Sequence, residues 1–195
     1  TRPADNSLID PSSFLPSTVV SCTSTAATHR ALGKNTSTRT NDAEIAGNAR
    51  LRETYPGLCE AVGLIGSAQI QSRASVGGNL CNASPAADAV PALVALGARA
   101  VIAGRSGSRE VPVERFVTSP GRTVLAQDEL LVALRIPPCA KHSADAYLRF
   151  IPRTEMDIAV VGAGVSVTID SGGTITAARV SLGAVAPRVL LVREA

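Results

Sequence analysis

The chain has 195 residues, 45% of them hydrophobic and 18% charged, with a net charge of only +3. That is enough apolar material for a core in one or two compact units, and it excludes fibrous, collagen-like and wholly disordered chains. Three Phe, two Tyr, no Trp and scattered arginines give no support to nucleic-acid binding, and no apolar run reaches the ~20 residues of a bilayer crossing.

Residues 1–41 begin with a stretch rich in Ser, Thr, Asn and Pro that has neither a helical nor an alternating period; it is read as loop or disordered tail and left unassigned. From Asp42 a helix is expected until Tyr55-Pro56, capped by Asp42 with Glu44 in its first turn and continued by Ile45, Ala49, Leu51 and Arg52, and a second runs from Pro56 with Leu58, Ala61, Val62, Leu64 and Ile65 at helical spacing, ended by Gly66. Residues 67–84 read as a polar, glycine-bearing loop. Ser84-Pro85 then opens a helix through Leu96, which Pro91 should kink or split.

Strands are expected over 99–103, 110–113, 130–136 and 147–151, then over 158–169 and 174–184, the last two joined by Asp170-Ser171-Gly172-Gly173. Strict alternation in residues 165–169 argues a half-buried antiparallel hairpin. Helices come early and strands late, so the class is α+β.

Cys22, Cys59, Cys81 and Cys139 form no C-x-x-C pair, and His29 and His142 are the only histidines. No zinc or iron–sulfur site is therefore expected on this chain, and all four thiols are assigned to small apolar gaps. Val160-Val161-Gly162-Ala163-Gly164 imitates the opening of a nucleotide-binding G-x-G-x-x-G fingerprint, but the third glycine position is Val167 and strand alternation continues where a helix should start. Its glycines are read as permitting close sheet packing.

Residues 69–88, Q-I-Q-S-R-A-S-V-G-G-N-L-C-N-A-S-P-A-A-D, carry the chemistry. Gly77 and Gly78 let the main chain turn with bare N–H groups that an anionic cofactor can approach. Ser75 and Asn79 add directional hydrogen bonds, and Asp88 can accept from ribose hydroxyls. By chemistry alone an ordinary turn followed by an acid complementing a helix dipole explains the same residues.

The run S-V-G-G-N-L-C-N-A-S-P-A-A-D resembles the T-I-G-G-N-L-x-N-A-S-P-A-A-D signature of the FAD-binding medium subunits of the carbon monoxide dehydrogenase and xanthine dehydrogenase family of molybdenum hydroxylases. The similarity runs from about Asp42, through Tyr55-Pro56-Gly57-Leu58 and Ile65-Gly66-Ser67, to Ala195. The resemblance implies the second lobe of a two-lobed, PCMH or vanillyl-alcohol-oxidase-like FAD-binding domain over 42–140. It also implies the start of a C-terminal antiparallel α+β domain over 141–195. Ser75, Val76, Gly77, Gly78 and Asn79 would meet the FAD diphosphate and its neighbouring groups, and Asp88 the adenosine ribose. Leu131, third in Glu129-Leu130-Leu131, would pack by the flavin, and Arg149 matches a basic position ahead of an R-x-x-x-D-x-A stretch, here Arg153 to Ala159. Arg153 and Asp157 are expected to form a structural ion pair.

The family's first-lobe A-G-G-T/H-D/S-L loop has no counterpart: residues 1–40 hold no Gly-Gly pair. Thr1 at the start and an element opening near Arg188 suggest that both ends are cut. What the resemblance implies is a cytoplasmic subunit that passes electrons from iron–sulfur clusters through FAD to NAD or another acceptor. Partner chains, a large molybdenum-cofactor subunit and a small [2Fe-2S] subunit, would carry the other centres. Two alternatives stand beside it: a non-catalytic assembly module or remnant that no longer binds FAD, and a stand-alone flavin reductase of the cell-wall-precursor type.

Overall fold

The computed structural model describes residues 18–21, 41–153 and 157–192. Helices gather in the first half and antiparallel strands in the second, the α+β layout expected. The single helix expected from Asp42 until Tyr55-Pro56 is two: α1 (Asp42–Gly47) and α2 (Ala49–Thr54). Asn48 breaks them, with extended backbone and a side chain that accepts the Leu51 N–H at 3.1 Å, so one residue ends α1 and caps α2. The cap of α1 is Asn41, in a reciprocal capping box with Glu44, and Asp42 is instead the first helical residue. α3 (Pro56–Gly63) has its proline at the helix start; it ends before Gly66, whose φ of +56° turns the chain beyond it.

Two further helices occupy the segment read as a loop. These are α4 (Ala68–Gln71) and α5 (Val76–Cys81), the second lying on the Gly-Gly pair itself. Glycine disfavours helix by about 1 kcal/mol per residue, which is why the sequence argued against it. The Ser75 cap and the burial of Val76 and Leu80 at 1% and 0% exposure offset that penalty.

The helix expected from Ser84-Pro85 begins later, as α6 (Ala89–Ala95), entirely buried. Pro91 therefore sits in its first turn, where no intrahelical bond needs its missing N–H, and it neither kinks nor splits the helix.

Six strands follow the expected places: β2 (Arg99–Gly104), β3 (Gly107–Pro112), β6 (Leu130–Ile136), β7 (Ser143–Phe150), β8 (Val161–Ile169) and β9 (Ile175–Gly183). Short β4 (Val117–Ser119) and β5 (Arg122–Thr123) pair with each other, and β10 (Leu190–Val192) adds to β9. Within the segment left unassigned, β1 (Thr18–Ser21) pairs antiparallel with β6. Two four-stranded antiparallel sheets result, ordered β1-β6-β2-β3 and β10-β9-β8-β7. One core, including Leu58, Val62, Leu80, Leu93, Ile102 and Leu134, joins the helices to both.

The second sheet turns its polar side to the helices. Its helix-facing side is polar or glycine: Tyr147, Gly162, Gly164 and Gly183 lie there, Ser181 Oγ donates to the Pro91 carbonyl at 2.6 Å, and Arg179 donates to Val94 and Ala95 carbonyls at the end of α6. The apolar alternation, from Leu148 and Phe150 on β7 through Val165 on β8 to Val180 on β9 and Leu190 on β10, lies on the opposite side. Leu148 is 77% exposed.

Candidate functional site

α5 starts from Ser75, whose backbone is extended and whose Oγ accepts the Gly78 N–H at 3.1 Å. The Ser75 carbonyl accepts the Asn79 N–H at 2.9 Å. Val76 and Gly77 carry the remaining first-turn N–H groups, and neither has a partner among the described residues. So of the two bare donors expected at Gly77 and Gly78, the second is taken by the cap, and Val76 supplies the replacement. The geometry is a helix start, not an open bend. A Cβ at Gly78 would stand 3.2 Å from Ser75 Oγ and press on the cap.

Asn79 Oδ1 accepts the Ala89 N–H at 3.3 Å, tying α5 to the first residue of α6. Its amide nitrogen keeps both hydrogens for other acceptors. The intervening turn is held from two more sides: the Ala83 carbonyl accepts from Gly121 N–H at 3.0 Å, and the Pro85 carbonyl from Ala184 N–H at 2.8 Å. Ala83 and Ala184 both have positive φ, +52° and +66°. Non-glycine residues adopt that region at a cost of order 1 kcal/mol each, so the turn is set by its surroundings.

Asp88 precedes α6 in helical conformation and makes no cap hydrogen bond with its side chain. Its carboxylate turns to β7 instead, where Oδ1 accepts the Tyr147 phenol at 3.0 Å and Oδ2 lies 3.2 Å from Arg149 Nη1. The two side chains of the ion pair are 12% and 9% exposed. Burial raises the Asp88 carboxyl above its usual range, against the opposing pull of the Arg149 charge and the hydrogen bonds from Tyr147 and Arg149. Arg149 Nη1 also donates to the Leu64 carbonyl at 2.9 Å. The fold thus brings Asp88 and Arg149 together across 61 positions of sequence.

Leu131 lies on β6 of the first sheet. At 6% exposure, opposite Ile102, it belongs to the core with Val76 and Leu80, whereas its neighbour Leu130 is 67% exposed. A side chain that deep packs in one cluster with Val76 and Leu80 of α5. Sequence reasoning missed Tyr147, although its position two residues before Arg149 on a strand puts both on one face. It also missed Asp145, whose Oδ2 accepts the Leu58 N–H at 3.2 Å at the start of α3.

Three of the remaining expectations resolve simply. Gly162 and Gly164 lie within β8, where a Cβ would stand 2.6 Å from Tyr147 Oη or 2.5 Å from the Pro91 carbonyl oxygen, so they serve close packing as expected. Arg153 and Asp157 form an exposed pair at 3.0 Å. Cys59 is buried, but Cys139 is exposed, donating to the Thr54 carbonyl, so it fills no apolar gap; Cys22 lies outside the described residues. A cleft of about 220 Å³ at the far end of α6, lined by Val94, Arg99, Glu114 and Arg179 among others, is separate from the glycine segment.

Chemically, the start of α5 offers two N–H groups without a partner among the described residues, the Ser75 hydroxyl hydrogen and the Asn79 amide. This donor set fits the diphosphate of a dinucleotide, since each group donates to oxygen and none brings negative charge.

Comparison with known proteins agrees with that chemistry. Residues 32–139 match the FAD binding domain in molybdopterin dehydrogenase, and residues 146–195 the CO dehydrogenase flavoprotein C-terminal domain. A xanthine dehydrogenase FAD-binding subunit of Escherichia coli O157:H7 is 34% identical over 141 residues, 72% of this chain and 48% of that protein. The carbon monoxide dehydrogenase medium chain of Hydrogenophaga pseudoflava is 33% identical over 135 residues, 69% of this chain and 46% of the relative. The chain thus spans about half the length of the curated relatives it matches. Among solved structures, a carbon monoxide dehydrogenase from Hydrogenophaga pseudoflava superposes with a TM-score of 0.74 at 30% identity, covering 80% of this chain and 53% of that one. Reconstituted CO dehydrogenase from Oligotropha carboxidovorans gives 0.75 at 28% identity, covering 81% and 55%. On sequence and fold alike, the chain belongs to the family of FAD-binding subunits of molybdopterin dehydrogenases.

Proposed function

We propose that the chain supplies the second-lobe half of a FAD site, of the two-lobed PCMH or vanillyl-alcohol-oxidase-like kind, in a molybdenum-dependent hydroxylase or dehydrogenase. The observation that carries this is the pair of unpaired N–H groups at Val76 and Gly77 beside the Ser75 cap. Bound FAD would take electrons from iron–sulfur clusters and deliver them to NAD or another acceptor. The protein holds and orients the cofactor. Ser75, Val76, Gly77, Gly78 and Asn79 would bind the diphosphate region, and Asp88 with Arg149 would border it. Leu131 would act through packing beneath α5. The molybdenum cofactor and [2Fe-2S] clusters would reside on a large and a small partner subunit. A cytoplasmic setting goes with this reading, as free Cys59, Cys81 and Cys139 suit a reducing compartment.

A second reading, an assembly module that no longer binds FAD, is favoured by the absence of a Gly-Gly pair from residues 1–40. FAD titration monitored by flavin fluorescence separates the two. The first reading expects saturable binding, weak in the isolated chain, that Gly77→Val lowers at least roughly tenfold by crowding the first-turn donors. Equal affinity in Gly77→Val, or no binding by the parent chain in excess FAD, favours the module.

A further inference from the structure

We propose that Tyr147 is a positioning residue of the flavin-nucleotide site: its phenol locks the Asp88 carboxylate, which in turn holds Arg149 as an oriented donor. This rests on the reading that residues 75–79 bind FAD.

Tyr147 is 3% exposed, and its hydroxyl donates at 3.0 Å to Asp88 Oδ1. The phenol fits because residue 162 is glycine; a Cβ there would lie 2.6 Å from the phenol oxygen. Phenylalanine would fill the same space, so what tyrosine adds is one hydrogen bond, and that bond goes to Asp88. The other carboxylate oxygen meets Arg149 Nη1, and the same nitrogen reaches the Leu64 carbonyl. One guanidinium nitrogen is thereby pinned from α6 and from the end of α3. Nε and Nη2 have no partner among the described residues, although the side chain is only 9% exposed. Such a group is a donor of fixed direction whose charge Asp88 already balances.

The lock also reaches the glycine helix. Asp88 immediately precedes Ala89, whose N–H bonds to Asn79. The chain Gly162–Tyr147–Asp88–Asn79 therefore links β8 to α5, and joins the two matched family domains. The ionisable groups near the lock are few. Tyr147 and Arg149 on β7 face Asp88, Asp145 lies on the same face of β7 and is itself raised to about 6 by burial, and Glu60 on α3 accepts the Tyr147 backbone N–H at 2.9 Å. Asp157, paired with Arg153, feels Arg149 from the far side. The hydrogen bond from Tyr147 favours the ionised form of Asp88 against burial. Its loss moves the protonation of Asp88 to higher pH, and protonated Asp88 releases Arg149.

The test is FAD affinity of the chain from pH 5 to 8, by fluorescence titration, in the parent, Tyr147→Phe and Gly77→Val. We expect affinity to fall on acidification in the parent. In Tyr147→Phe it should be roughly 5- to 10-fold weaker at pH 7.5, with the acid transition displaced to higher pH. If the parent and Gly77→Val bind alike, or neither binds, the FAD reading fails and takes this proposal with it. If Gly77→Val loses binding while Tyr147→Phe keeps the parent's affinity and pH profile, only the positioning role of Tyr147 is overturned. Should Tyr147→Phe not fold, Asp88→Asn stands in: it must weaken FAD and flatten the pH profile, and an unchanged profile refutes the proposal.

Discussion

Asp42 and Asp145 are carboxylates raised by burial, each with a side-chain oxygen that meets no donor among the described residues. Asp42 has 0% exposure and neither of its side-chain oxygens meets a donor; burial lifts its pKa to about 6. Asp145 is likewise raised to about 6 by burial, against the pull of the Leu58 and Gly57 N–H groups, with its Oδ1 unpartnered. A folded pKa above the unfolded 3.8 means that the native state holds the proton more tightly. The contribution to stability is fully present below pH 3.8 and is lost as pH rises through about 6. Asp42→Asn is therefore expected to stabilise the protein by about 1–2 kcal/mol at pH 7.5 and to change little at pH 4, the neutral amide still lacking donors. Urea unfolding at the two pH values measures this, and a difference independent of pH would contradict the buried-acid account.

At the scale of elements, the contact of β8 on α6 depends on the absence of side chains. A Cβ at Gly164 would lie 2.5 Å from the Pro91 carbonyl oxygen and 2.8 Å from the Ala92 nitrogen, both backbone atoms that have nowhere to move. Gly164→Ala is expected to destabilise by about 2–3 kcal/mol, measured by chemical denaturation. Gly173, with φ +85° and open space around its Cβ position, turns the β8–β9 hairpin at the predicted place. That turn, the β6 boundaries and the Pro56 helix start were legible because each rests on local chemistry: glycine freedom, alternation, and a proline at a first turn. The start of α6 was not. Ser84-Pro85 has the chemistry of a helix start, yet the residues up to Asp88 form a turn that Gly121, Ala184 and Asn79 hold from other parts of the chain.

For the molecule as a whole, the outer face of the β10-β9-β8-β7 sheet is an exposed apolar surface among the described residues. Leu148 at 77%, Phe150 at 62% and Ile175 at 61% exposure stand on an unbroken apolar side. A contiguous patch of this kind binds hydrophobic dyes. The native chain should raise 8-anilinonaphthalene-1-sulfonate fluorescence, and Leu148→Lys should lower that signal while changing unfolding free energy by less than about 0.5 kcal/mol. A loss of several kcal/mol would place Leu148 in a core after all.

The sequence by itself determined the class, the six main strands, the hairpin and the segment that bears the donors, because period, turn residues and motif are local properties. Only the tertiary structure decided that the Gly-Gly pair is a helix start, that Asp88 faces Tyr147 and Arg149, and which side of the second sheet packs on the helices. Alternation reports that a strand has two unlike faces, but it cannot say which one the helices cover. Here Tyr147, Arg179 and Ser181 find hydrogen-bond acceptors on and beside α6, and once those bonds form, the polar face is the one that is buried.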